Sequence, residues 1–275
     1  MNPLGQGEMM SEKRAAVFEK LKTDILRLQG FKASADTHID TGLGPILDAF
    51  PNRCFPLGAV HEFLSPKPED MAATTGFIMG LLSPLMNNNG ASVWIRRESN
   101  IFPPGLRHFG IQPDRVIFLD LHKEKDILWT MEEALKCGAL TAVVGELPDL
   151  NFTDSRRLQL AVEKSKVTGF AVRSNIVKVG PTACVSRWRI SPLPALPVDD
   201  LPGIGYPQWK VELLRVRNGK IGVWNVGWKN GAFSHVQSDA SLGHPSLSRE
   251  ALDSGEIRSQ NSSMSEQSQK HRKAG

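Results

Sequence analysis

A chain of 275 residues with 40% hydrophobic content can bury one large core with extensions, or two small cores. Its three cysteines, Cys54, Cys137 and Cys184, are odd in number, widely spaced and without a C-x-x-C pair. That argues against a disulfide framework and a zinc site and fits reduced thiols in a cytosol. No secretory signal opens the chain, and the longest apolar run, "FIMGLLSPLM", is too short and too broken by Pro84 to span a bilayer, so a soluble cytoplasmic protein is expected.

The net charge of +4 hides an asymmetry. Residues 1–155 hold 15 Lys/Arg against 20 Asp/Glu, residues 156–236 hold 13 against 4, and residues 237–275 hold 5 of each. The basic block suits nucleic acid or an acidic partner, and solvated strand edges would give the same count.

In chain order, the spacing of Phe18, Leu21, Ile25 and Leu28 predicts a helix over 11–29, with Ser11 as N-cap and Gly30 as the stop. Residues 1–32 are therefore an N-terminal helix or arm. The core, 33–236, alternates strands and helices: "GAVHEFL", "MAATTGFIMGLLSPLM", "ASVWIR", "RVIFLD", "KEKDILWTMEEALKCG", "ALTAVVGEL", "TDSRRLQLAVEKS" and "VTGFAVRS". Near-continuous apolar runs between amphipathic helices predict a mostly parallel sheet covered on both faces. "ACVSRWRI", "QWKVELLRVR" and "IGVWNVGW" then follow with little helix between them, and Asn218-Gly219 reads as a hairpin turn, which predicts an antiparallel extension. Residues 237–275, with ten serines in 39 positions, read as a disordered tail.

Strand, loop and helix over Ala59–Leu82 is where a nucleotide-binding protein keeps its phosphate cradle. In the window Lys67–Thr74, Thr74 could take the magnesium position, but Lys67 and Ala72 stand where glycines belong and Ala73 where the lysine belongs. Non-glycine residues at positive φ cost on the order of 1 kcal/mol each, and Glu69 and Asp70 would repel phosphate. The loop marked by Ser65, Lys67, Glu69, Asp70, Ala73 and Thr74 is degenerate. Gly145 stands where the magnesium aspartate should end its strand, and Glu146, one residue later, faces the other way. Glu98, after a strand end, could activate water only beside a bound triphosphate. No catalytic residue, cofactor or metal is expected, and His61-Glu62 lacks the second histidine of a zinc-protease motif.

Other candidates are cationic. Arg156 and Arg157 fall in the first turn of a helix, where they oppose its dipole, a hint of an external partner. Trp209, Lys210, Arg215 and Arg217 interleave aromatics with cations, as a DNA or partner surface would. Tryptophans among strand-forming residues are more often core.

The order of elements resembles a RecA-type recombinase core, through "IDTGLGPILDAFPNRCFPLGAVHEFLSP", "WIRRESNIFPPGLRHFGIQPDRVIFLD" and "ILWTMEEALKCGALTAVVGELPDL". From about residue 11 to 236 the chain resembles the ImuA family of error-prone repair proteins, through "FPLGAVHEF", "ILWTMEEALKCGALTAVVGE", "SRRLQLAVEKSKVTGFAVR", "SRWRISP" and "PQWKVELLRVRNGKIGVW". The resemblance implies a RecA-like fold and a role in translesion synthesis and mutagenesis during the SOS DNA-damage response. It implies as partners an ImuB-like inactive polymerase relative, an error-prone DNA polymerase and RecA, contact with DNA directly or through them, and association with the nucleoid during damage. The N-terminal helix is a candidate for docking or self-association. A non-catalytic adaptor is the leading expectation. An unconventional ATPase using Thr74, Glu146 and Glu98, a single-strand DNA binder working through 156–229, and a SulA-like division inhibitor are the alternatives.

Overall fold

Val60–Leu64 is buried at every position, as a central strand covered on both faces must be. It is β1 of a nine-stranded sheet, followed by β2 (Ala91–Arg96), β3 (Val116–Asp120), β4 (Leu140–Leu147), β5 (Thr168–Arg173), β6 (Ser186–Val198), β7 (Leu201–Val216), β8 (Gly222–Lys229) and β9 (Ala232–His235). The computed structural model describes residues 39–235, apart from 88–89, 175, 177–178 and 199–200 and the side chains of 196–198 and 201–204. The helix expected over 11–29 and the tail 237–275 lie outside the described residues.

The strand order is β3-β2-β4-β5-β1-β6-β7-β8-β9. β1 to β6 run parallel, and β7, β8 and β9 each pair antiparallel with the strand before. This is the parallel core with the antiparallel extension that the sequence predicts. Three helices connect the parallel strands: α1 (Pro68–Met86), α2 (Glu124–Lys136) and α3 (Phe152–Ser165). Between β2 and β3 the chain makes two 3-10 turns, Pro103–Phe109 and Pro113–Arg115.

The alternation of β4 shows the two layers. Ala142 and Val144 join a core around Phe63, Phe77, Trp94 and Trp188 on the α1 side, whereas Val143 and Leu147 join Met131, Leu135 and Leu158 beneath α2 and α3. Two glycines one turn apart let β7 and β9 close on α1. A Cβ at Gly76 would stand 3.0 Å from the Trp209 ring, and one at Gly80 would stand 2.5 Å from Phe233.

α1 begins at Pro68, three residues before the sequence reading placed it. Proline is pre-set for the first helical position, and Glu69 and Asp70 then meet the positive end of the dipole. α3 begins at Phe152, because the Asn151 side chain accepts the backbone N–H of Asp154 at 2.9 Å.

Candidate functional site

Only Ser65, Pro66 and Lys67 separate β1 from α1. None of them has a positive φ, and Lys67 is extended at φ −120°, ψ 155°. The window Lys67–Thr74 is thus not a loop but the first two turns of a helix, closed by the Met71 N–H donating to the Lys67 carbonyl at 3.0 Å. A three-residue extended link cannot turn successive backbone N–H groups inward around a phosphate.

The side chains agree with the backbone. Thr74 is fully buried, and its Oγ1 lies 2.8 Å from Oγ of Ser65, itself buried. The Ser65 N–H is spent on the Arg173 carbonyl at 2.8 Å. Lys67 and Glu69 are exposed, whereas Asp70 and Ala73 are buried.

Gly145 and Glu146 point to opposite faces of β4. A Cβ at Gly145 would stand 2.5 Å from Met131 Sδ of α2, so that position faces a packed apolar layer. Glu146 is buried on the other side and accepts the Trp94 indole N–H at 3.0 Å. Burial pushes the Glu146 carboxyl up, against the pull of the Trp94 hydrogen bond, the Arg97 backbone and Arg96. Glu98 is exposed just past β2, where Arg96 instead pairs with Asp120 at 2.5 Å and holds that carboxyl below its usual range.

The cationic candidates do not converge. Arg156 is exposed on α3, whereas Arg157 pairs with Glu132 of α2 at 2.5 Å and Asp154 at 3.7 Å, so an internal carboxylate holds it. Trp209 is 4% exposed and packs edge-on to Phe77, while Lys210 donates to Glu212 at 3.2 Å. Arg215 donates to the carbonyls of Thr182 and Cys184 at 2.9 and 2.7 Å, and Arg217 to that of Ala183 at 3.0 Å. These two arginines fasten the segment that leads into β6.

Two buried polar networks in β1 escaped sequence reasoning. Glu62 is fully buried and accepts from Arg173 at 2.7 Å, from Arg187 at 2.7 Å and from Thr182 at 2.8 Å, and Arg173 also pairs with Asp149. On the opposite face, His61 sits 2.8 Å from the Pro56 carbonyl through Nε2 and 2.7 Å from Ser186 Oγ through Nδ1. A carbonyl only accepts, so Nε2 carries the proton and Ser186 donates to Nδ1. Trp188 completes the chain by donating to Ser186 at 2.6 Å. Burial lowers the His61 pKa to about 4. The available signal was a His-Glu pair inside an otherwise apolar central strand, which demands buried partners. Cys184 lies beside the Glu62 network, 3% exposed, and burial pushes its thiol up to about 12, which disfavours the thiolate.

A parallel sheet of this order, an antiparallel extension and a shortened link after β1 define a RecA-like α/β protein. The solved RadB recombinase shares the fold, with a TM-score of 0.51 and 14% identity over 72% of this chain and 100% of that one. No family model matches the chain. Protein ImuA of Caulobacter vibrioides strain NA1000 is 36% identical over 193 residues, 66% of this chain and 79% of that protein. The cell division inhibitor SulA of Yersinia pestis strain Pestoides F is 28% identical over 130 residues, 47% of this chain and 76% of that protein. The chain belongs to the ImuA family. Family and fold together make it a RecA-like protein of the DNA-damage response. Among the described residues no helix is long and apolar enough to cross a membrane.

Proposed function

We propose that this protein is a non-catalytic adaptor, a RecA-shaped scaffold that works by contact within a translesion-synthesis complex. Its partners would be an ImuB-like inactive polymerase relative, an error-prone DNA polymerase and RecA, with DNA reached directly or through them. The observation that carries this reading is the Ser65–Thr74 hydrogen bond. It occupies the hydroxyl that a magnesium ion would need, at the end of a link too short and too extended to cradle phosphate. The surrounding architecture is retained, and the link and Gly145 both lack the residue types that nucleotide chemistry uses, which supports this reading. A fold retained without that chemistry supports a role in recognition, and family membership points to the class of partner.

The test is co-elution of the full chain with a purified ImuB-like protein and with RecA, in the presence and absence of magnesium-ATP. The adaptor reading predicts a complex that forms equally with and without nucleotide. No complex with either protein, or one that requires ATP, contradicts it.

A further inference from the structure

Past α3 the sheet continues into β6, β7 and β8. One face of this extension packs on α1 and the aromatic core, and no described helix packs on the other. The ladders set what that open face carries. Arg189, Glu212 and Val223 lie in register across β6, β7 and β8 and continue the row of the buried Leu64 and Arg173 in β1 and β5, and Glu62, Arg187 and Arg215 form the adjacent row. In-register neighbours on adjacent strands point the same way.

The charges are answered on one side of this face and left open on the other. Towards α3, Glu62 answers the charge of both Arg173 and Arg187, although the Arg173 Nε also lacks an acceptor. Towards the edge, Arg189 stands opposite Glu212, yet Glu212 turns to Lys210 at 3.2 Å, and the Arg189 Nε is buried with no hydrogen-bond acceptor. A buried guanidinium donor without an acceptor is costly to hold, unless a bound ligand supplies one. Beside it lies aliphatic surface: Val223 is 58% exposed, and Ile221, two residues earlier, is 73% exposed.

The ligand must therefore bring carboxylates or phosphates together with apolar groups. Single-stranded nucleic acid binds through stacking on aromatic rings. Here Trp209 and Trp228 turn to the opposite face, 4% and 6% exposed in the core. The ring on this face, Tyr206, is already covered by the Lys229 ammonium, 5.2 Å from its centroid, so a surface of arginine, lysine, valine and isoleucine with that ring taken matches an acidic, aliphatic peptide.

From the unanswered Arg189 and the uncovered aliphatics beside it, we infer that this face of β6–β8 docks an acidic, aliphatic-rich peptide segment of a partner protein. The inference rests on the adaptor reading and assigns it a contact surface.

The experiment measures fluorescence anisotropy of a short labelled peptide alternating aspartate and leucine, titrated with the full chain. The controls are a lysine–leucine peptide and oligothymidine. Saturable binding of the aspartate–leucine peptide is expected, weakened roughly tenfold or more in Arg189→Glu and reduced in Val223→Asp. Arg189 makes no polar contact within the described chain, so Arg189→Gln should melt no lower than wild type while losing most of the same affinity. Equal peptide affinity in wild type and both Arg189 variants overturns the inference. So does Arg189-dependent binding of oligothymidine without binding of the peptide. An ImuB-like protein that co-elutes equally with wild type and Arg189→Glu sinks this surface and leaves the adaptor reading standing; failure of wild type to co-elute with any partner sinks the adaptor reading itself.

Discussion

Ser65 Oγ and Thr74 Oγ1 share a hydrogen bond of 2.8 Å that ties the end of β1 to the second turn of α1. In a phosphate-binding loop the corresponding hydroxyl faces a metal and the chain before it opens around phosphate. Here that hydroxyl closes the link instead, and the same pair makes the link part of the core.

If the pair is structural, removing one partner leaves the other buried and unsatisfied. Thr74→Val should cost about 1–3 kcal/mol of unfolding free energy, and Ser65→Ala about the same. The double variant should cost less than the sum, as contacting residues do. Urea unfolding of the four proteins measures the coupling, and strict additivity would show that the bond contributes nothing.

His61 gives the protein an acid-sensitive core. Its folded pKa of about 4 lies below the unfolded value of 6.5. The unfolded chain therefore binds more protons in that window, and stability falls as pH drops from 6.5 towards 4, levelling off below. The loss attributable to this residue is about 3 kcal/mol. Denaturant unfolding across that pH range should show the slope in wild type and a shallower one in His61→Phe. Identical slopes would place the acid sensitivity elsewhere.

Glu62 holds Arg173 and Arg187 in a buried cluster. Glu62→Gln keeps the shape and removes the charge, leaving Arg187 without a counter-ion and Arg173 with Asp149 alone, and should cost about 3–5 kcal/mol. Thermal melts of this variant beside an exposed control, Glu69→Gln, check the expectation. Equal melting temperatures would contradict it.

Restoring a carboxylate at Gly145 should not restore metal binding. The new Cβ would press on Met131 Sδ, and the carboxylate would enter an apolar layer. Gly145→Asp should lose about 1–3 kcal/mol from crowding alone and gain no magnesium affinity. A variant that is more stable with magnesium than without would reverse this account of the position.

Much of the fold was legible because burial on both faces writes itself as short apolar runs, and β1 to β5 follow those runs closely. The start of α1 was misplaced because Pro68, Glu69 and Asp70 look like loop residues when a phosphate loop is sought, although a helix start uses the same residues. β6 and β7 extend to Val198 and from Leu201, well past the stretches read as strand. Prolines at 192, 194, 197, 202 and 207 concealed this. The ribbon tolerates them because β1 pairs with β6 only as far as Arg189 and β8 pairs with β7 only from Gln208, so its outer edges need no donors. The Glu62 network was illegible for another reason: its arginines lie 111 and 125 residues away, and only the strand order β5-β1-β6 brings them together. The degenerate link itself could be read from residue types, but the Ser65–Thr74 bond that closes it could not.

Calorimetric titration of the full chain with magnesium-ATP decides whether contact or hydrolysis is the mode of action. A closed link predicts no saturable heat up to millimolar nucleotide, in wild type and Thr74→Val alike. Saturable binding in wild type that Thr74→Val abolishes would mean that the link opens to take a triphosphate, and the adaptor account would fail.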